Sequence, residues 1–144
     1  MAVEYSIAGA LTFKTASDIT YDRTKDGGSD LARKGLWVEI SGDNEVQMLT
    51  AGGTPLGQLL EVFGDNTCSV CVEGLLTGLQ GAVGGISLGK GVMGAVGPSV
   101  GGQTNGYLAV PGNTVAAATA QRGLVTEILS NTAGGEILVL LGGG

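Results

Sequence analysis

From Gly74 to Gly106, successive glycines never have more than three residues between them. That spacing excludes a stable helix. Each glycine in a helix interior costs about 1 kcal/mol relative to alanine, and any useful length would carry several. What remains is short extended segments joined by tight turns. The apolar residues agree: aromatics are only 4% of the chain, so Ala, Val, Leu and Ile supply most of its 43% hydrophobic content. Aliphatic and β-branched residues interleaved with glycine suit strands and turns, and a chain so rich in them is not disordered. At 144 residues it fits one domain that buries roughly 70% of its unfolded surface.

Strand candidates follow from period-two alternation and from turn residues. Leu11 and Phe13, then Ile19 and Tyr21, alternate in ALTFKTASDITYD. TKDGGSD (24–30) is a turn or mobile loop. In GLWVEISGDNEVQML, Leu36, Val38 and Ile40 share one face and Trp37 and Glu39 the other. SGDN (41–44) is a strong turn, so 36–40 and 45–49 are expected to form a hairpin. AGGTP (51–55) is a further break. In the glycine-rich middle, ISL (86–88), KGVM (90–93) and YLAV (107–110) fit between turns, and VAAATAQ (115–121) alone has the composition for a helical turn.

Charge is unevenly spread. Residues 1–45 hold Lys14, Arg23, Lys25, Arg33, Lys34 and eight acids, whereas Lys90 and Arg122 are the only charges from Gly74 to Thr126. This divides the chain into an extended, polar N-terminal arm (1–35) and a single body (36–144) whose uncharged middle packs against something, such as another subunit. The net charge of −6 argues against a nucleic-acid partner, since binding phosphates needs a basic face. No run approaches 18 apolar residues, so no membrane span is expected. The opening MAVEYSIAGALTF has no basic segment and carries Glu4, so a secretory signal is not expected. The reading is a protein made in a reducing cytosol, and kept there or assembled from there.

The groups able to do chemistry are few. Cys68 and Cys71, in CSVC, are the only cysteines, and there is no histidine. A structural zinc site needs four ligands, so this pair could supply half of an intersubunit site. A redox pair wants a following helix N-terminus, and the flanks NT and VEG provide none. In a strand the two sulfurs diverge, because residues three apart face opposite ways. GKGVMG (89–94) matches G-x-G-x-x-G, yet GAVGPSVGG cannot form the required helix and no acid follows at the proper distance. Glu61 and Glu127 could pair as glycosidase-type carboxylates, although nothing aromatic nearby would bind a sugar. Without histidine, Ser-His-Asp and Cys-His arrangements do not exist. No cofactor or metal is expected, and no enzymatic activity.

Two stretches resemble each other. GQLLEVFGDNTCSVCVEG (57–74) and GLVTEILSNTAGGEILVLLG (123–142) each open on glycine and place a glutamate at the same offset, Glu61 and Glu127. Each follows with two large apolar residues, then a polar turn, then a short apolar run. They read as a duplicated β-hairpin, with CSVC standing where ILVL (137–140) stands. Leucine and valine have no metal or redox chemistry, so that position requires only apolar side chains.

The same stretches, GQLLEV…VCVEGLL and AQRGLVTEILSNTAGGEILVLLGG, carry a resemblance to the small capsid cement, or head decoration, proteins of tailed bacteriophages. In that family a Gly–aliphatic–Glu strand, a turn such as AAAGE and a terminal valine-rich strand recur in this order. The resemblance runs from residue 57 to the end. It implies an all-β fold with a compact β-barrel or β-tulip body, here with duplicated β-hairpins and an extended N-terminal arm. It also implies a homotrimer on the outer capsid surface of the virion that bridges neighbouring major capsid subunits, without catalysis. The expected partners are the major capsid protein and the chain itself, with no nucleic acid and no membrane. Tyr5, Phe13, Lys14, Tyr21, Arg23 and Lys25 are the expected capsid contacts, as large or basic groups on a thin arm. The alternatives are another virion β-module, in a tail or spike, and a small CxxC redox or metal protein.

Overall fold

The computed structural model describes residues 9–21, 35–81, 86–98, 104–109 and 120–142. Among these the chain is nearly all β, with ten strands. They are β1 (Ala10–Thr15), β2 (Trp37–Gly42), β3 (Glu45–Met48), β4 (Gly57–Val62), β5 (Thr67–Cys71), β6 (Gly74–Leu79), β7 (Met93–Ala95), β8 (Tyr107–Ala109), β9 (Leu124–Ile128) and β10 (Glu136–Leu141).

The first five strands close into a barrel in the order β1-β3-β2-β4-β5, with β1 also paired to β5. Closure removes the exposed sheet edges that short strands would otherwise present. The β2–β3 hairpin forms at SGDN, as that turn predicts. Asn44 takes a positive φ of 54°, which asparagine tolerates better than most residues. The turn between β4 and β5 repeats the device: Asn66 has φ 63°, and Thr67 Oγ1 donates to Asp65 Oδ1 at 2.5 Å. The other strands form a three-stranded sheet, β6-β10-β9, and a β7–β8 pair. Isolated bridges join Gln80 to Leu108 and Val92 to Arg122.

Two apolar clusters fill the molecule. One lies within the barrel and contains Val38, Val46, Met48, Leu59, Cys68 and Val70, with Tyr107 entering from β8. The other gathers Val92, Leu108, Val125, Ile137 and Val139 around Trp37. Trp37 is fully buried, and its Nε1 donates to the Thr77 carbonyl at 2.9 Å. Gly78 makes room for it: a Cβ there would stand 3.1 Å from Trp37 Nε1 and 2.6 Å from Leu108 Cδ1.

Several expectations change. Residues 10–15 do not belong to an extended arm. They are the barrel strand β1, parallel to β3 and antiparallel to β5. The physical reason is edge closure, since without β1 both β3 and β5 would be left with open edges. ISL (86–88) is not a strand, and KGVM (90–93) contributes only the Val92 bridge and the first residue of β7. Within the low-charge middle, Gly106 is tied to the barrel: it accepts from the Trp37 N–H at 3.1 Å and donates to the Leu49 carbonyl at 2.7 Å. TKDGGSD (24–30) and most of VAAATAQ (115–119) lie outside the described residues.

Candidate interaction surface

The two cysteines are tied into the fold. Cys68 points into the barrel cluster and Cys71 into the other. The two sulfurs thus diverge, and neither forms a disulfide. Burial pushes the Cys68 thiol up to about 11, against a smaller lowering by the Phe13 backbone. A thiol held in that form is a poor nucleophile and a poor ligand. Among the described residues no three His, Cys, Asp or Glu gather in a way that could hold a metal.

Glu61 sits in β4 opposite Ser69, and Glu127 in β9 opposite Leu138, on separate sheets. In the GKGVMG stretch Gly89 has φ 74°, and the chain passes into β7 rather than a helix. A cleft of about 370 Å³ is lined by Glu39, Ile40, Thr54, Pro55, Leu56 and Arg122. Its two charged residues are both engaged in the fold. Glu39 accepts from the Thr50 N–H at 3.1 Å and from Gln47 Nε2 at 2.7 Å. Arg122 donates to the Leu56 carbonyl at 2.6 Å and to the Val72 carbonyl at 3.4 Å.

One surface that the described residues leave exposed lies at one end of the barrel. There the Lys14 N–H donates to the Asn44 carbonyl and the Thr15 N–H to the Asn66 carbonyl, so both tight turns converge on the end of β1. Lys14 is exposed. The Tyr21 ring lies 3.5 Å from where a Cβ on Gly64 would stand, so it sits against the turn after β4; Tyr21 and Phe63, the residue before that glycine, are both exposed. Lys14, Tyr21 and Phe63 thus share this end with Asp43, Asn44, Asp65 and Asn66.

Of the six expected contact residues, Lys14 and Tyr21 are exposed. Phe13 faces inward and packs against the barrel cluster. Tyr5, Arg23 and Lys25 lie outside the described residues. Sequence reading did not single out Phe63 as exposed, taking it as half of an apolar pair. The signal for it was its place directly before the GDN turn, where a strand's last side chain leaves the sheet.

No helix among the described residues is long and apolar enough to cross a membrane. Comparison with family models, with curated proteins and with solved structures gave no match.

Proposed function

We propose that the chain is a structural virion protein: a capsid cement, or decoration, protein that binds the outer surface of a phage head and bridges neighbouring major capsid subunits. The observation that carries this reading is the division of labour among its side chains. Cys68, Cys71, Glu39 and Arg122 are consumed by packing and hydrogen bonds. Tyr21, Phe63 and Lys14 stand exposed at the end of a closed barrel. That combination suits adhesion, because rigid aromatic groups lose little conformational freedom on docking and dominate binding energetics. The resemblance of residues 57–144 to cement proteins supplies the partner.

The mechanism is multivalent. Each subunit makes a contact of roughly 800 Å² per partner, and an oligomer, expected to be a trimer, multiplies that contact into strong net binding. A shell under internal pressure is then held at many points.

The test is cosedimentation with heads that lack the protein. Wild-type protein should pellet with expanded heads at saturable stoichiometry. Tyr21→Ala and Phe63→Ala should each weaken the association by roughly 30-fold, as the loss of an aromatic anchor does. A protein that stays in the supernatant at every concentration contradicts the reading.

A further inference from the structure

The seam between β2 and β4 is short. Their pairing runs through Trp37–Gln58 and Val38–Gly57 and stops there, although β2 continues to Gly42. The alternation of an antiparallel strand says which way its backbone groups point. The Trp37 carbonyl accepts from the Leu49 N–H, on the β3 side, and the Val38 carbonyl accepts from the Leu56 N–H, on the β4 side. Ile40 therefore turns its N–H and carbonyl toward the β4 side. Continued on the same register, its partner would be Pro55. Proline has no N–H to give to the Ile40 carbonyl, and the Pro55 carbonyl accepts from Arg122 Nη1 at 3.4 Å instead. Among the described residues, no hydrogen bond reaches either edge group of Ile40. The cleft of about 370 Å³ lies at this gap, lined by Glu39, Ile40, residues 53–56 and Arg122.

The chain itself shows what such an edge can hold. Gly94 occupies in β7 the place of Ile40 in β2. Ile40 pairs with Val46, whose carbonyl accepts from the Ala16 N–H; Gly94 pairs with Leu108, whose carbonyl accepts from the Gly81 N–H. Two residues earlier, the Val38 carbonyl accepts from Leu56 and the Val92 carbonyl from Arg122. At Gly94 both edge groups are paired with backbone. Its N–H donates to the Gly53 carbonyl and its carbonyl accepts from the Gly52 N–H, each at 2.9 Å. That partner is a tight turn, closed by the Gly53 N–H on the Thr50 carbonyl. It fits because Gly94 has no side chain: a Cβ there would collide with the Thr50 carbonyl oxygen. Ile40 carries a branched side chain, so a turn cannot approach its edge in that way. An extended strand can, because it pairs in the plane of the sheet and leaves the Ile40 side chain on one face. That side chain is 55% exposed. Beyond it β2 runs into the Asp43–Asn44 turn, at the barrel end that holds Lys14.

We propose that an extended segment of the major capsid subunit adds to β2 at Ile40, exchanging one N–H···O=C bond in each direction with that residue. The inference rests on the shell-binding reading and names the element of the partner that this protein grips. Main-chain bonds supply the attachment, as they do wherever a strand is added to a sheet edge.

The experiment is hydrogen–deuterium exchange of the full chain, free and bound to heads that lack it, read by mass spectrometry on peptides spanning residues 38–42. Bound protein should take up deuterium at Ile40 at least about tenfold more slowly than free protein. Ile40→Pro removes an N–H that the fold does not use. It should keep the circular dichroism spectrum and cosediment with heads about tenfold more weakly. Ile40→Thr keeps that N–H and should bind as wild type does. Protein that pellets with heads while Ile40 exchanges as in free protein overturns this proposal and leaves the shell-binding reading standing. So does folded Ile40→Pro that binds as wild type does, or Ile40→Thr that binds as weakly as Ile40→Pro. If Ile40→Pro fails to fold, the exchange measurement on wild type decides. Protein that never pellets overturns both.

Discussion

Cys68 ties a single side chain to a measurable pH dependence. Its pKa rises from 9.0 to about 11 on folding because burial disfavours the thiolate. The unfolded chain therefore releases this proton first as pH rises. The thiol's contribution to stability is fully present below pH 9 and is lost progressively as pH climbs through about 11. Burial raises Tyr107 in the same sense. Cys68→Val should fold, since Ile137 fills the corresponding place in the second hairpin. Its urea midpoint should fall less than wild type's between pH 9 and 11; equal slopes would contradict the assignment. Gly78 is a second single-residue test. A methyl group there would meet Leu108 and Trp37, so Gly78→Ala should cost about 1–3 kcal/mol by overpacking, read from chemical denaturation followed by the fluorescence of Trp37. The apolar requirement at CSVC was legible from its alignment with ILVL. The role of Gly78 was not, because a missing side chain signals nothing until its distant neighbour, here Trp37, is known.

At the level of strands and turns, alternation and turn chemistry located most of the barrel. SGDN gave the β2–β3 hairpin, and GDNT gave the β4–β5 connection. Asn66 holds φ 63°, so Asn66→Gly should stay within about 0.5 kcal/mol of wild type, while Asn66→Val should lose about 1–2 kcal/mol. Thermal melts separate the two. Arg122 joins elements that no local pattern connects. It reaches the Leu56 and Val72 carbonyls from the residue just before Gly123 and β9, and Arg122→Ala should cost about 2 kcal/mol in denaturant titrations. Strand β1 escaped recognition as part of the barrel for a related reason. Its alternation, Leu11 and Phe13, is too short to show which distant edge it closes. The charge-rich residues around it suggested an arm instead. Pairing with β3 and β5 is a property of the closed sheet and not of the segment.

For the molecule as a whole, short strands joined by tight turns were legible from glycine spacing and aliphatic content, and the barrel from the resemblance of residues 57–144. The barrel end where both turns fold back onto β1 was not, since its residues come from distant strands and meet only through register. Adhesion would draw on such a composite surface, whereas Cys68, Cys71, Glu39 and Arg122 are committed to the cores and their hydrogen bonds. The central claim is that this chain reinforces a phage head from outside. Electron microscopy of particles with and without the protein tests it most directly. The account predicts added density on the outer capsid surface, spanning the joints between neighbouring capsomers and fitting the barrel with its Tyr21–Phe63 end against the shell. Density confined to a tail or spike, or particles unchanged by the protein's removal, would contradict it.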